Sequence, residues 1–100
     1  MRHNILKDKI RNKDVALGVD LDFPNPGLAE YLGGLGFDWI LIDAEHSSMT
    51  TDDCENICRA CDNWGMSHVV RVRKNDPREI MDWLQAGVLG ITVPHVRNAK

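Results

Sequence analysis

Short apolar runs alternate with longer amphipathic stretches along the whole chain. Residues 15–19, 39–42, 69–72 and 90–93 are four such runs, bounded by glycine, proline or charged residues. Each has the length of a buried strand rather than a helix. Strands buried on both faces belong to the parallel sheets of α/β proteins.

The intervening stretches read as helices with recognisable ends. Residues 6–11 form a short charged segment with helical character, and residues 20–25 a loop. Asn25-Pro26 opens a helix, with a capping side chain followed by proline at the first helical position. That helix runs through Leu28, Ala29, Tyr31 and Leu32 and stops at Gly33-Gly34 or Gly36. Residues 47–51 are a loop leading to a helix from Asp52 to about Trp64, where Asp52 and Glu55 have capping-box spacing. Its acidic first turn suits the positive end of the helix dipole. Gly65 ends it. Asn75-Asp76-Pro77 opens a further helix, with Ile80, Met81, Trp83 and Leu84 on one face and Gly87 at its close.

Strand, helix, strand repeats at a spacing that fits one strand and one crossover helix per unit. A helix end, a glycine and a buried strand recur at Leu32–Ile42 and again at Leu84–Val93, an echo expected of shared βα geometry. Four βα units make half of a (β/α)8 barrel, a fold of about 250 residues. An open four-stranded sheet is the competing architecture. Its dinucleotide-binding version is disfavoured, because Asp20-Leu21-Asp22-Phe23-Pro24 stands where a glycine-rich phosphate loop would follow the first strand.

Composition narrows the function classes. With 43% hydrophobic and 27% charged residues the chain is an ordinary globular one. A net charge of −3 and interspersed signs leave no basic stripe for a nucleic-acid backbone. No apolar run is long enough to cross a bilayer, and residues 1–12 lack a signal-peptide core, so a cytoplasmic location is expected. The three cysteines are expected as reduced thiols.

Chemistry gathers at the strand ends. In α/β folds, ligands and catalytic groups collect at the C-terminal ends of parallel strands. Asp43, Glu45 and His46 follow the run Trp39-Ile40-Leu41-Ile42. Asp43 and His46 are close enough in sequence for a carboxylate to hold an imidazole and raise its basicity. The plainer alternative is that Asp43 caps the loop and His46 is a surface residue. One strand on, alternation places Arg71 and Arg73 on one face and Val70 and Val72 on the other. An arginine facing a barrel interior needs an anion. Either it clamps a substrate carboxylate or it forms an internal salt bridge to Asp43 or Glu45, and the two are compatible. His95, after the fourth strand, is a weaker candidate; His3 and His68 carry no signal.

Cys54-x-x-x-Cys58-x-x-Cys61 has the spacing of a radical-enzyme iron–sulfur motif. That chemistry needs an irregular loop, whereas here Cys54, Ile57, Cys58, Cys61 and Trp64 line one face of a helix. A buried core stripe is the expectation.

Taken in order, Gly36-Phe37-Asp38-Trp39-Ile40-Leu41-Ile42-Asp43-Ala44-Glu45-His46, Val69-Val70-Arg71-Val72, Asn75-Asp76-Pro77, Leu84-Gln85-Ala86-Gly87 and Val93-Pro94 resemble the HpcH/HpaI aldolases, from about Val15 onward. The resemblance implies the N-terminal half of a (β/α)8 TIM barrel, with residues 1–100 as a single partial domain. It also implies a metal-dependent class II aldolase that cleaves a 4-hydroxy-2-oxoacid to pyruvate and an aldehyde. The cofactor would be a divalent ion (Mg, Mn or Co) that chelates pyruvate and stabilises its enolate. His46 would act as base through a metal-bound water, Asp43 would orient it, and Arg71 would bind the keto oxygen of the substrate. Glu45 would support the water shell of the metal. A small-molecule 2-oxoacid partner and a homo-oligomeric state are implied as well.

The chain departs from that pattern at Ser47-Ser48, where a small residue and proline often follow the histidine. It departs again at Arg73-Lys74, which replaces a proline-containing turn and adds positive charge near the mouth. The metal-ligating Glu and Asp of the family come from later strands, so these 100 residues are expected to be inactive alone. A non-catalytic α/β binding or regulatory domain, with Asp43, Glu45 and Arg71 as a structural ion network, is the reading from another class.

Overall fold

The computed structural model describes residues 4–94. The elements run α1 (Ile5–Arg11), β1 (Gly18–Leu21), α2 (Pro26–Gly34), β2 (Trp39–Asp43), α3 (Thr51–Asn63), β3 (Ser67–Arg71), α4 (Pro77–Gln85) and β4 (Gly90–Thr92). The strands form one parallel sheet in the order β1-β2-β3-β4. Every crossover therefore joins neighbouring strands, as in the expected half-barrel.

Alternation along the strands separates two faces. Leu21, Ile40, Ile42, Val70 and Val72 are buried on one face, together with Ala29, Ile57, Cys54, Cys58, Cys61 and Trp83 from the helices. Placing α2, α3 and α4 over this face gives one hydrophobic core. The three thiols line the buried side of α3, as their spacing predicts.

The other face carries Gly18, Asp20, Trp39, Leu41, Asp43, Val69 and Arg71, residues that would line the interior of a closed barrel. At its N-terminal end the indole of Trp39 lies against the backbone of Gly18. A Cβ on Gly18 would sit 2.1 Å from the indole Cε2, so only glycine fits. α1 is tied to the same end: Leu6 N–H donates to Ser67 Oγ at 3.1 Å, and Ser67 Oγ donates to Asn4 Oδ1 at 2.8 Å.

Several boundaries differ from the sequence expectation. The first strand begins at Gly18 rather than Val15, because Val15 and Leu17 are exposed while Val19 and Leu21 make the core contact. Residues 20 and 21 are strand rather than loop. The third strand starts earlier, at Ser67, and pairs with Trp39. The capping box of α3 uses Thr50 and Asp53, not Asp52 and Glu55. Asp53 N–H donates to Thr50 Oγ1 at 3.2 Å, and Thr50 N–H to Asp53 Oδ2 at 3.0 Å. Both caps expected beside proline are present, with Asn25 before Pro26 and Asp76 before Pro77.

Candidate active site

The end of β2 is fixed by its own first acid. Asp43 is buried and stands in register with Arg71 on β3. Arg71 Nη2 donates to Asp43 Oδ2 at 2.6 Å, and Arg71 Nε lies 3.4 Å from Asp43 Oδ1 and 3.3 Å from Glu45 Oε1. Asp43 Oδ1 also accepts the backbone N–H groups of Glu45 (3.0 Å) and His46 (3.1 Å). One carboxylate thus ends the strand, turns the loop and anchors the arginine.

The loop over residues 44–49 is held from two further directions. Ser47 Oγ donates to the Asp43 carbonyl and accepts from Met49 N–H at 3.1 Å. Arg73 reaches across from β3, its Nε bonding the carbonyl of Ala44 at 3.1 Å and its Nη2 that of Met49 at 2.6 Å. Arg73 therefore staples the loop rather than adding free positive charge to the mouth.

Burial pushes the Asp43 carboxyl up. The hydrogen bonds from Arg71 and from the His46 and Glu45 backbone, with the arginine charge, outweigh it and hold the pKa below the usual carboxylate range. His46 is the exposed member of the group, its side chain 69% accessible, and its Nε2 lies 3.4 Å from Glu45 Oε1. Asp43 grips the His46 backbone, and the carboxylate beside the ring belongs to Glu45. Asp43 thus meets His46 only through the backbone of the turn, and the side-chain contact falls to Glu45.

Two residues at or near this face were not singled out from the sequence. Asp20 lies on the same face, level with Leu41 in the β1–β2 register. Partial burial first, then the charges of Asp43 and Asp22, raise its carboxyl above the usual value against the pull of Arg71. The signal for Asp20 was its place between Val19 and Leu21, a polar residue inside an alternating strand. His68 is fully buried on the helix side. Its Nδ1 accepts from Leu89 N–H at 3.1 Å and lies 3.4 Å from Cys58 Sγ, while Nε2 is 3.0 Å from Asp62 Oδ1. Nothing local in Ser67-His68-Val69 reveals that role. His3 and His95 lie outside the described residues.

Among the described residues, no three His, Cys, Asp or Glu side chains converge as a metal site. Asp43 is committed to Arg71, so these residues fit a supporting place beside a divalent ion and do not form its ligand set.

Comparisons with known proteins bear on the family and the fold. A family model described as HpcH/HpaI aldolase/citrate lyase matches residues 18–100. The 4-hydroxy-2-oxo-heptane-1,7-dioate aldolase of Salmonella dublin is 34% identical over 96 residues, which is 96% of this chain and 36% of the relative. A 2-dehydro-3,6-dideoxy-6-sulfogluconate aldolase of Pseudomonas putida is 35% identical over 91 residues, 91% of this chain and 36% of that protein. The chain thus spans about a third of the curated relatives it matches. Among solved structures, an HpcH/HpaI aldolase from Desulfitobacterium hafniense DCB-2 superposes with a TM-score of 0.87 at 25% identity, covering 96% of this chain and 38% of that one. The citrate synthase SbnG superposes with a TM-score of 0.88 at 30% identity, covering 96% and 39%. The four strands and their helices accordingly match part of a barrel of this type.

Proposed function

The chain belongs to the HpcH/HpaI aldolase/citrate lyase family, and from that premise we propose that it forms part of a metal-dependent aldolase. Its reaction is the cleavage of a 4-hydroxy-2-oxoacid into pyruvate and an aldehyde. The observation that carries this reading is the grouping at the ends of β2 and β3: an exposed imidazole beside an arginine anchored by a buried carboxylate.

Retro-aldol cleavage needs a base for the 4-hydroxyl proton and positive charge near the 2-keto oxygen, where electrons from the broken C3–C4 bond collect. His46, with Glu45 at 3.4 Å, receives the proton. Arg71 faces the developing negative charge. Nε and Nη2 are engaged with Asp43 and Glu45, whereas Nη1 makes no hydrogen bond among the described residues. Asp43 keeps that guanidinium and the His46 backbone in fixed relation. A divalent ion (Mg, Mn or Co), when bound, supplies further charge neutralisation at the oxoacid. Glu45 would support that ion.

In this reading the 100 residues are inactive by themselves. The working enzyme is a cytoplasmic homo-oligomer acting on a small 2-oxoacid. No helix among the described residues is long and apolar enough to cross a membrane.

The test is pyruvate release from a 4-hydroxy-2-oxoacid by the full-length protein, with Mg or Mn added and then removed with a chelator. Metal-dependent release is expected. No release with either metal would sink the reading.

A further inference from the structure

Asp20 gives the candidate site an acid with no counterion of its own among the described residues. It occupies the inner face of β1, in register with Leu41 of β2 and therefore one side-chain level below Asp43. Val19 and Leu21 take the opposite face and pack into the core, so the alternation leaves Asp20 no place there. Among the described residues it makes no hydrogen bond and no ion pair. Its neighbours at this level are Leu41, Val69 and Gly90, none of which offers a charge.

The nearest positive group is already committed. Arg71 is bonded to Asp43 and Glu45, which leaves Asp20, Asp43 and Glu45 facing a single guanidinium. Arg73 is consumed by the carbonyls of Ala44 and Met49. Lys74 is exposed at the rim, where its backbone N–H is held by Glu79 Oε2 at 3.0 Å, so its surroundings include another acid. A ligand on Arg71 lies within the electrostatic reach of Asp20, as Arg71 and Asp43 themselves do.

Resting on the aldolase reading, we propose that Asp20 selects the aldehyde half of the substrate by charge, so that this protein takes aldehydes without an acidic group. One carboxylate, that of the 2-oxoacid, is accommodated by Arg71 and the cation. A second acidic group would meet the carboxylate of Asp20, and like charges brought together at a binding site repel. A neutral aldehyde bears no such penalty, and a hydroxyl on it has an acceptor in Asp20. The selection is by exclusion, with the repulsive group built into the wall. This would set the chain apart from the relative named for a heptane-1,7-dioate, whose substrate is acidic at both ends.

The experiment is aldol addition by the full-length protein, with pyruvate as donor and Mg or Mn present. Propanal is the neutral acceptor and succinic semialdehyde the acidic one. The wild type is expected to show kcat/KM for propanal about tenfold or more above that for succinic semialdehyde, and Asp20→Asn to reduce that ratio by a similar factor. Asp20→Glu, which keeps the charge, should preserve the ratio. A structural role for Asp20 would move both acceptors together and leave the ratio alone. Equal use of the two aldehydes by the wild type, or an unchanged ratio in Asp20→Asn, overturns the inference while leaving the aldolase reading intact. Failure to form a carbon–carbon bond with either acceptor overturns both.

Discussion

Arg71 and Asp43 occupy opposed positions on neighbouring parallel strands, and their side chains meet with Nη2 2.6 Å from Oδ2. The pair is a register mark as well as an ion pair, because a one-residue slip would turn one partner to the helix side. The buried carboxylate also holds two backbone N–H groups of the following turn. Asp43→Ala should therefore destabilise the protein by roughly 1–3 kcal/mol, the cost of leaving buried donors without acceptors. Asp43→Asn keeps one acceptor oxygen and should lose less. Urea unfolding of the full-length variants, followed by circular dichroism, measures the difference.

His46 is solvent-facing and its ring bears no packing load. His46→Gln should leave the melting temperature nearly unchanged while lowering pyruvate release by about 10²–10⁴-fold, the usual contribution of a general base. Arg71→Lys should also lower activity, since an ammonium does not reproduce the planar fork that meets Asp43 and Glu45. If His46→Gln instead lowers the melting temperature while the folded variant keeps full specific activity, the residue is structural.

Acid should weaken the fold through two carboxylates. Hydrogen bonding by the Leu17 backbone and by Lys9 lowers the pKa of Asp38, and the Arg71 and turn contacts lower that of Asp43 against the opposing effect of burial. A depressed folded-state pKa contributes stability that is complete above the unfolded value, near ~3.9, and is lost as the pH falls through the folded one. Asp38→Asn and Asp43→Asn should each flatten the decline in melting temperature below about pH 4. Asp20 has the opposite sign, since burial and neighbouring acids raise its pKa. Asp20→Asn should raise the melting temperature at neutral pH, and the gain should vanish in acid.

Gly18→Ala should be disruptive out of proportion to one methyl group. The new Cβ would fall 2.1 Å from the Trp39 indole, at the end of the sheet where α1 docks. Overpacking of this kind costs about 1–3 kcal/mol. Trp39→Leu frees the space, so the double variant should lose less than the sum of the two single losses, as denaturant midpoints would show.

The thiols of α3 should be silent in the folded protein. Burial pushes the Cys61 thiol up to about 12, and the hydrogen bond to Cys54 together with burial pushes Cys58 up as well. Iodoacetamide at about pH 8 should label neither until denaturant is added. Mass spectrometry before and after unfolding reads the outcome.

Local signals carried much of the fold. Asn25-Pro26 and Asp76-Pro77 mark helix starts by chemistry that acts within a few residues, and the run at 39–42 could be little other than a buried strand. The first strand was placed too early because Val15 and Leu17 are apolar yet exposed, a distinction made only by tertiary packing. In the site, Asp43, His46 and Arg71 were legible from their place at strand ends. Which carboxylate meets the imidazole was not, because it depends on how the turn after Asp43 folds back. The partners of His68 come from α3 and from Leu89, far along the chain, and no spacing rule reaches that distance.

Strand order in the sheet is also the order of synthesis. A strand leaving the ribosome finds its hydrogen-bonding neighbour already made, and no later segment has to be threaded between existing ones. Growth from one edge keeps each loop closure short, which favours rapid assembly. The Asp43–Arg71 contact can then form as soon as β3 emerges, well before translation is finished. A nascent chain stalled shortly after β4 should already protect this region from protease.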